Sequence, residues 1–323
     1  MIVRKVAAEQ LEKIGKIPSI IFDAVEFNEL NKDKVDRVDY LLLGKGESNR
    51  FSLCLGVTRS VAKIPFSAPF ALPEVCKSGL GILNYDEMLT ALDVYASENG
   101  IEVIKFVLPP IFYSEEVITA LVNAFFRHGY INTIVDVNYA FKLCDVFKPE
   151  YPSAIQKNAR KNLQTALRSD LVLRKCATDE EIKVAYDVIA ENRSSKGYPL
   201  RMSYEQIKQT INVVTADVFM VLKDEQAVAA AFVFHISEKI VQVVYWGDTP
   251  GFENFRPINF LAYKLIEFYG KSGMDFLDIG PSTEGSMPNF GLCDFKESIG
   301  CTRSLKFSFE KNIQLRGGGG QFP

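Results

Sequence analysis

The 323-residue chain carries 37 Lys and Arg against 40 Asp and Glu, a formal net charge of -3, and 47% of its residues are hydrophobic. That length exceeds what one core usually organises, so two units of about 150 residues are expected, and the composition excludes a disordered or fibrous chain. The near-neutral charge excludes a global attraction for nucleic acid or anionic membrane, which leaves any basic site local.

The amino terminus has charges every few residues and no apolar core of a secretory signal. The longest apolar run, 227–234, is too short to span a bilayer, so a cytoplasmic location is expected. The six cysteines form no CxxC pair and read as reduced core thiols; with only His128 and His235 beside them, a metal site has little to build on. His235 lies in an apolar run and reads as a core histidine.

In the first half the spacing predicts a helix over 89–95 ended by Gly100 and a strand over 103–108 stopped by Pro109 and Pro110. A helix over 115–126 follows, closed at Gly129, and then a long alternating strand over 134–143. The pattern breaks at Phe147-Lys148-Pro149, which places the expected domains at 1–147 and 148–315, with a flexible glycine-rich tail over 316–323.

The second half opens with a capping box from Thr178 to Glu181 and an apolar stripe of Ile182, Ala185, Val188 and Ile189. Ser203 and Gln206 start another helix in the same way. Three antiparallel strands are expected over 218–223, 227–235 and 240–246, with turns at 224–226 and 237–239. A helix over 258–269 ends in the glycines at 270 and 273 and precedes a strand over 276–279, a loop over 280–286, a short segment over 295–300 and a last strand over 304–309. Phe126-Arg127 before Gly129 and Phe295-Lys296 before Gly300 each lead into a terminal strand, the sign of a duplication. The fold class expected is α/β, a mixed (α+β) sheet with helices on both faces, in each half.

Charge concentrates at the start of the second half, where residues 148–176 hold seven basic side chains against Glu150 and Asp170, a local net of +5. Lys157, Arg160, Lys161 and Arg168 share a helical face opposite Ile155, Ala159, Leu163 and Ala166. That face either binds an anion, a nucleotide diphosphate or a tRNA phosphate, or is simply solvated. Tyr245 and Trp246, ending a strand beside a Pro/Gly loop, either stack on a base or sugar or belong to the core; Asp278, just before Gly280, reads as a base or as a cap for Ser282 and Thr283.

Three segments resemble the Fem-type branch of the GNAT acetyltransferase superfamily, whose members add amino acids to peptidoglycan precursors. Residues 158–166, with Arg160, Leu163 and Ala166, are similar to its interdomain "R-x-x-I-x-x-A" helix, and 276–280 followed by 291–300 is similar to its "G-L-x-x-F-K-x-x-x-G" signature. Residues 106–110 also resemble a family feature.

The resemblance implies two tandem GNAT-like acyltransferase domains with the chemistry in the second. The acyl or aminoacyl group passes from an activated ester or thioester to an amine acceptor such as a nucleotide- or lipid-linked cell-wall or glycan precursor. It implies an oxyanion held by a backbone N–H near Tyr245 to Gly247, and Lys296 as a cation beside the acyl carbonyl or leaving oxygen; alone, Lys296 reads as a solvated lysine. Phe295 would line the acyl pocket, and Arg256 and Asn259, at the opening of the following helix, complete the expected substrate contacts with Arg160, Lys161, Lys157, Trp246 and Ser282. No permanently bound cofactor and no metal are expected.

The donor is either aminoacyl-tRNA or acyl-CoA. Coenzyme-A-dependent relatives cradle the pyrophosphate on a "Q/R-x-x-G-x-G/A" turn, a form that residues 247–257 lack, which favours aminoacyl-tRNA. The long charged coiled-coil arm of some relatives is missing from the sequence too. Two other readings stay open: an acyl-CoA-dependent N-acyltransferase of a sugar amine or small metabolite, and a non-catalytic ligand-binding protein.

Overall fold

The computed structural model describes residues 1–13, 18–46 and 48–314; the tail expected over 316–323 lies outside the described residues. Two units emerge, Met1–Asp136 together with the segment from Leu305, and Val137–Ser304.

Unit 1 contains β1 (Ile2–Val6), α1 (Ala8–Glu12), α2 (Val25–Leu30), β2 (Arg37–Lys45), β3 (Ser48–Thr58), β4 (Val61–Ile64), the short β5 (Glu74–Val75), α3 (Ile82–Glu98), β6 (Val103–Val107), α4 (Glu115–Arg127) and the start of β7 (Ile131–Lys142). Its sheet runs β1-β2-β3-β4-β6, antiparallel except for the parallel pair β4 and β6. Leu41, Leu43, Phe51, Phe106 and Phe125 are fully buried in its core.

Unit 2 continues with α5 (Leu143–Val146), α6 (Tyr151–Ala154), α7 (Lys157–Leu167), β8 (Val172–Lys175), α8 (Asp179–Ser195), α9 (Tyr204–Ile211), β9 (Ala216–Lys223), β10 (Gln226–His235), β11 (Ile240–Asp248) and α10 (Pro257–Lys271). After these come β12 (Phe276–Pro281), the hairpin of β13 (Thr283–Glu284) and β14 (Met287–Pro288), α11 (Phe290–Ser298) and the start of β15 (Thr302–Asn312). The sheet order is β7-β12-β11-β10-β9-β8, with β11 and β12 the parallel pair.

The last strand of each half completes the other half's sheet. Residues 308–312 of β15 pair antiparallel with β6 in unit 1, and residues 138–142 of β7 pair antiparallel with β12 in unit 2. The units therefore divide inside β7 and β15 rather than at 147/148. Residues around Phe147-Lys148-Pro149 break the periodicity without ending a unit, because Leu143, Tyr151 and Ile155 are buried in the core of unit 2.

Local signals explain most of unit 2. Thr178 Oγ1 accepts from the Glu181 N–H at 3.3 Å, while the Glu181 carboxylate accepts from Ala177 N–H at 2.7 Å, so the expected box reaches one residue further back. Ser203 and Gln206 form the reciprocal pair at 3.2 and 2.9 Å. Asp224 and Glu225 both take positive φ, as a two-residue hairpin loop requires. The α8 stripe of Ala185, Val188 and Ile189 packs on Val218, Met220, Ala230 and Phe232. On the other sheet face, Ala159 and Leu163 of α7 and Leu261 and Leu265 of α10 cover Phe219, Val221, Ala231 and Val241. Each such Leu or Phe contributes about 1.5–3 kcal/mol by leaving water.

Candidate functional site

The parallel pair β11 and β12 holds register for three residues only, Ile240↔Phe276, Val241↔Leu277 and Gln242↔Asp278. Just beyond, the β10–β11 register steps from Val233↔Val243 to Phe232↔Tyr245, which makes Val244 a bulge. A bulge sharpens the local twist, and past it β11 has no pairing with β12. The fork opens a cleft of about 1130 Å³ within unit 2, large enough for a substantial ligand. Its walls come from the end of α8 (Asn192, Arg193, Lys196), the end of β11 (Trp246, Gly247, Asp248), the start of α10, the segment after β12 and the start of α11.

Five of the expected site residues meet there: Trp246, Arg256, Asn259, Ser282 and Phe295. The Trp246 and Phe295 rings meet edge to face with centroids 6.3 Å apart, forming an apolar wall. Ser282 is 3% exposed, and its hydroxyl has no hydrogen-bond partner among the described residues.

Asp278, Tyr245 and Lys296 lie behind the cleft surface. Asp278 is fully buried at the crotch of the fork and accepts from Gln242 Nε2 at 2.8 Å, Asn138 Nδ2 at 2.7 Å and the Gly280 N–H at 2.8 Å. It fixes the last paired rung and does not cap the Ser282 hydroxyl, which stays unpartnered. Thr283 Oγ1 accepts from the Val137 N–H at 2.8 Å. Tyr245 points to the α8 side of the sheet, buried beneath the Arg193 guanidinium at 5.1 Å; burial pushes its hydroxyl pKa up.

Lys296 is 2% exposed, and its Nζ donates to the carbonyls of Ile279 (2.9 Å), Gly280 (2.8 Å) and Pro281 (3.1 Å). Its ammonium also lies 5.5 Å from the Tyr139 ring centroid. Burial lowers its pKa to about 8. An ammonium has three donors, and all three point at main-chain oxygens. Lys296 is therefore not a solvated lysine, and its cation faces the last three main-chain carbonyls of β12 rather than the cleft, where the resemblance implies it.

The basic helix face also reads differently. Arg160 Nη2 donates to the carbonyls of Ser153 (2.6 Å) and Ile155 (3.3 Å), so its guanidinium satisfies the end of α6. Lys157 and Lys161 are exposed on α7 and line no part of the cleft. Lys175 is 2.5 Å from Asp217, and Arg174 is 3.2 Å from Glu225. Asn162 is the α7 residue that reaches the cleft wall. The helical wheel identified the exposed side of α7 correctly, but that side does not face the fork.

The cleft carries three cations, Arg193, Lys196 and Arg256, and three carboxylates, Asp248, Glu253 and Glu284. Lys196 lies 3.3 Å from Asp248, whose Oδ1 also accepts from Asn192 Nδ2 at 2.7 Å. Glu253 accepts from the Gly251 N–H at 3.0 and 3.1 Å, and that bond lowers its pKa. Arg256, in the left-handed region at φ 56°, precedes Pro257 at the first position of α10. The Asn259 and Phe260 N–H groups donate to the Arg256 carbonyl, at 3.1 and 3.2 Å.

Asn192, Arg193, Lys196 and Asp248 escaped the sequence reading. One signal was available: the apolar stripe of α8 continues by helical spacing from Val188 and Ile189 to Asn192, a polar residue at a core position. Two other residues depart from expectation, since Cys144 is exposed and His235 is a partly exposed partner of Asp217 at 2.8 Å. Among the described residues no group of three or more His, Cys, Asp and Glu gathers as a metal site, and no helix is long and apolar enough to cross a membrane.

No family model and no curated protein matches the chain. Solved structures do. FemX matches with a TM-score of 0.70 and 12% identity over 97% of this chain and 98% of that one. L-PGS from Bacillus licheniformis matches with a TM-score of 0.61 and 12% identity over 96% and 94%, and a tandem GNAT protein from the clavulanic acid biosynthesis pathway with 0.55 and 7% over 97% and 98%. At these identities the likeness is one of fold. The chain shares its fold with FemX and with that tandem GNAT protein, as the sequence resemblance implied.

Proposed function

We propose that the unit 2 cleft transfers an acyl or aminoacyl group from an activated ester or thioester to an amine, in a ternary complex without a covalent enzyme intermediate. The observation that carries this reading is the fork itself. Past Gln242 and Asp278, β11 presents backbone with no partner strand on the β12 side, and its amides near 245–247 lie beside the Trp246 and Phe295 wall. The acceptor nitrogen attacks the acyl carbon, and the tetrahedral oxyanion is stabilised by the main-chain N–H of that stretch that points away from β10. Collapse breaks the bond to the leaving oxygen or sulfur, which takes up the proton lost by the amine. Lys296 acts as a positioning residue that holds 279–281, and through them Ser282, at the cleft wall.

An aminoacyl ester such as aminoacyl-tRNA fits the donor side better than acyl-CoA. A pyrophosphate cradle needs free amides at the turn into α10. Here Glu253 takes the Gly251 N–H, Pro257 has none, and those of Asn259 and Phe260 are directed at the Arg256 carbonyl. A nucleotide- or lipid-linked precursor amine is the acceptor class in this reading.

The test is product formation followed by mass spectrometry, with aminoacyl-tRNA or acetyl-CoA as donor and a UDP-linked amino-sugar peptide as acceptor. An aminoacylated acceptor supports the reading. Product from acetyl-CoA alone would replace the donor assignment, and tight binding of both substrates without product would replace transfer by a binding role.

A further inference from the structure

Of the three cations in the cleft, Lys196 and Arg256 are exposed, and Arg193, in the last turn of α8, is the one drawn into the wall. It is half-buried, and no carboxylate lies within ion-pair distance of it among the described residues. Its Nη1 donates to the Pro199 carbonyl at 3.3 Å, and its Nε is buried with no partner. The guanidinium stacks 5.1 Å from the Tyr245 ring centroid, which fixes its plane. Lys196, one turn on, already has Asp248. Arg201 adds positive potential from the segment after α8, and its contact with Glu284 is a highly exposed one at 3.5 Å. The orphan Nε is closed off from solvent, so the donors left for an acceptor from outside the protein are those of the two Nη atoms, which carry no bond among the described residues besides the one to Pro199.

We infer that Arg193 is the anchor of an oxyanion subsite in this cleft, which holds a carboxylate or phosphate group of the substrate. The planar fork suits both groups, since each offers paired oxygens to parallel N–H donors. The subsite narrows the substrate class to one with an anionic group within the cleft. It rests on the cleft being a substrate site, yet its test reads equilibrium binding alone. A chain that binds anions but transfers nothing fails the proposed function and keeps the subsite.

Trp246, the chain's single tryptophan, lines the cleft and supplies the signal. Wild type, Arg193→Gln and Arg193→Lys are titrated at constant ionic strength with inorganic phosphate, with N-acetylglycine and with the neutral N-acetylglycinamide, and the melting temperature of each variant is recorded. The expected result is a saturable change in Trp246 emission with at least one anion and none with the amide. Arg193→Gln should weaken it about tenfold or more, and Arg193→Lys less. A response to phosphate alone assigns a phosphoryl group, and one to N-acetylglycine alone a carboxylate. The inference is overturned if neither anion perturbs the wild type, or if the variants bind as tightly. Should Arg193→Gln fail to fold, the Lys variant and the anion-against-amide contrast decide.

Discussion

Lys296 Nζ lies 2.8 Å from the Gly280 carbonyl, with the Ile279 and Pro281 carbonyls at 2.9 and 3.1 Å, so one buried ammonium closes three consecutive main-chain oxygens. Two effects compete when it is replaced by methionine. The variant escapes the cost of burying a charge, which a pKa lowered to about 8 puts at roughly 3 kcal/mol. It also strips up to three carbonyls of their donor, at about 1–3 kcal/mol each. The second effect is larger, so Lys296→Met should lose about 2 kcal/mol of stability in urea unfolding at pH 7 and shift Trp246 emission as 279–281 relax. A variant as stable as wild type that has lost turnover would instead make Lys296 a group acting on the substrate.

Ser282 offers the opposite case. Its hydroxyl is buried without a partner, so Ser282→Ala removes an unsatisfied group and leaves the melting temperature unchanged or slightly higher. Ligand affinity, read by Trp246 fluorescence with whichever anion or substrate the cleft accepts, should change by less than about twofold, because the buried hydroxyl is closed off from the cleft. A clear loss of stability in the ligand-free protein would show that the hydroxyl is already satisfied.

What the sequence revealed and what it hid divide along the range of the interactions. The caps at Thr178 and Ser203, the 224–225 turn, and Gly129 and Gly300 after their helices are local, and they placed the elements of unit 2 and the end of unit 1. The hairpin of β2 and β3 and the small β13–β14 pair went unread. Strand exchange was invisible because β7 and β15 are each continuous, and nothing in an alternating pattern says which sheet it joins. At the site, Trp246 and Phe295 were legible through strand end and motif. Arg160 and Lys296 were misread because a basic side chain looks the same in sequence whether it meets solvent, substrate or its own main chain.

Asp217 gives a pH dependence. Burial alone would raise its pKa, but hydrogen bonds from His235 (2.8 Å), Lys175 (2.5 Å) and Tyr269 (2.8 Å) overcome that and hold it well below the usual carboxylate range. A carboxyl depressed on folding contributes stability that is complete above its unfolded pKa of about 4 and is lost as pH falls towards the folded value. Asp217→Asn should therefore be clearly less stable than wild type at pH 6 to 7, with the gap closing from about pH 4 downward. Chemical denaturation at several pH values measures it, and a gap independent of pH would mean that the network contributes geometry rather than charge.

Gly247 tests how tightly α8 is pressed onto the cleft end of β11. A Cβ built there would lie 2.8 Å from both Cβ and Cγ of Asn192, nearer than carbon atoms pack. Asn192 cannot swing aside freely, since its Nδ2 donates to the main-chain and side-chain oxygens of Asp248, each at 2.7 Å. Gly247→Ala should therefore push the last turn of α8 outward, costing about 1–3 kcal/mol as overpacking does, and displace Arg193 with it. Asn192→Gly alone loses about 1 kcal/mol of helix propensity together with those hydrogen bonds, yet it removes the clash. In a double-mutant cycle the pair should then be more stable than the sum of the single losses by about 1 kcal/mol or more. Strict additivity would mean that β11 moves instead of α8, and the Arg193 side of the cleft would keep its shape in the Gly247 variant.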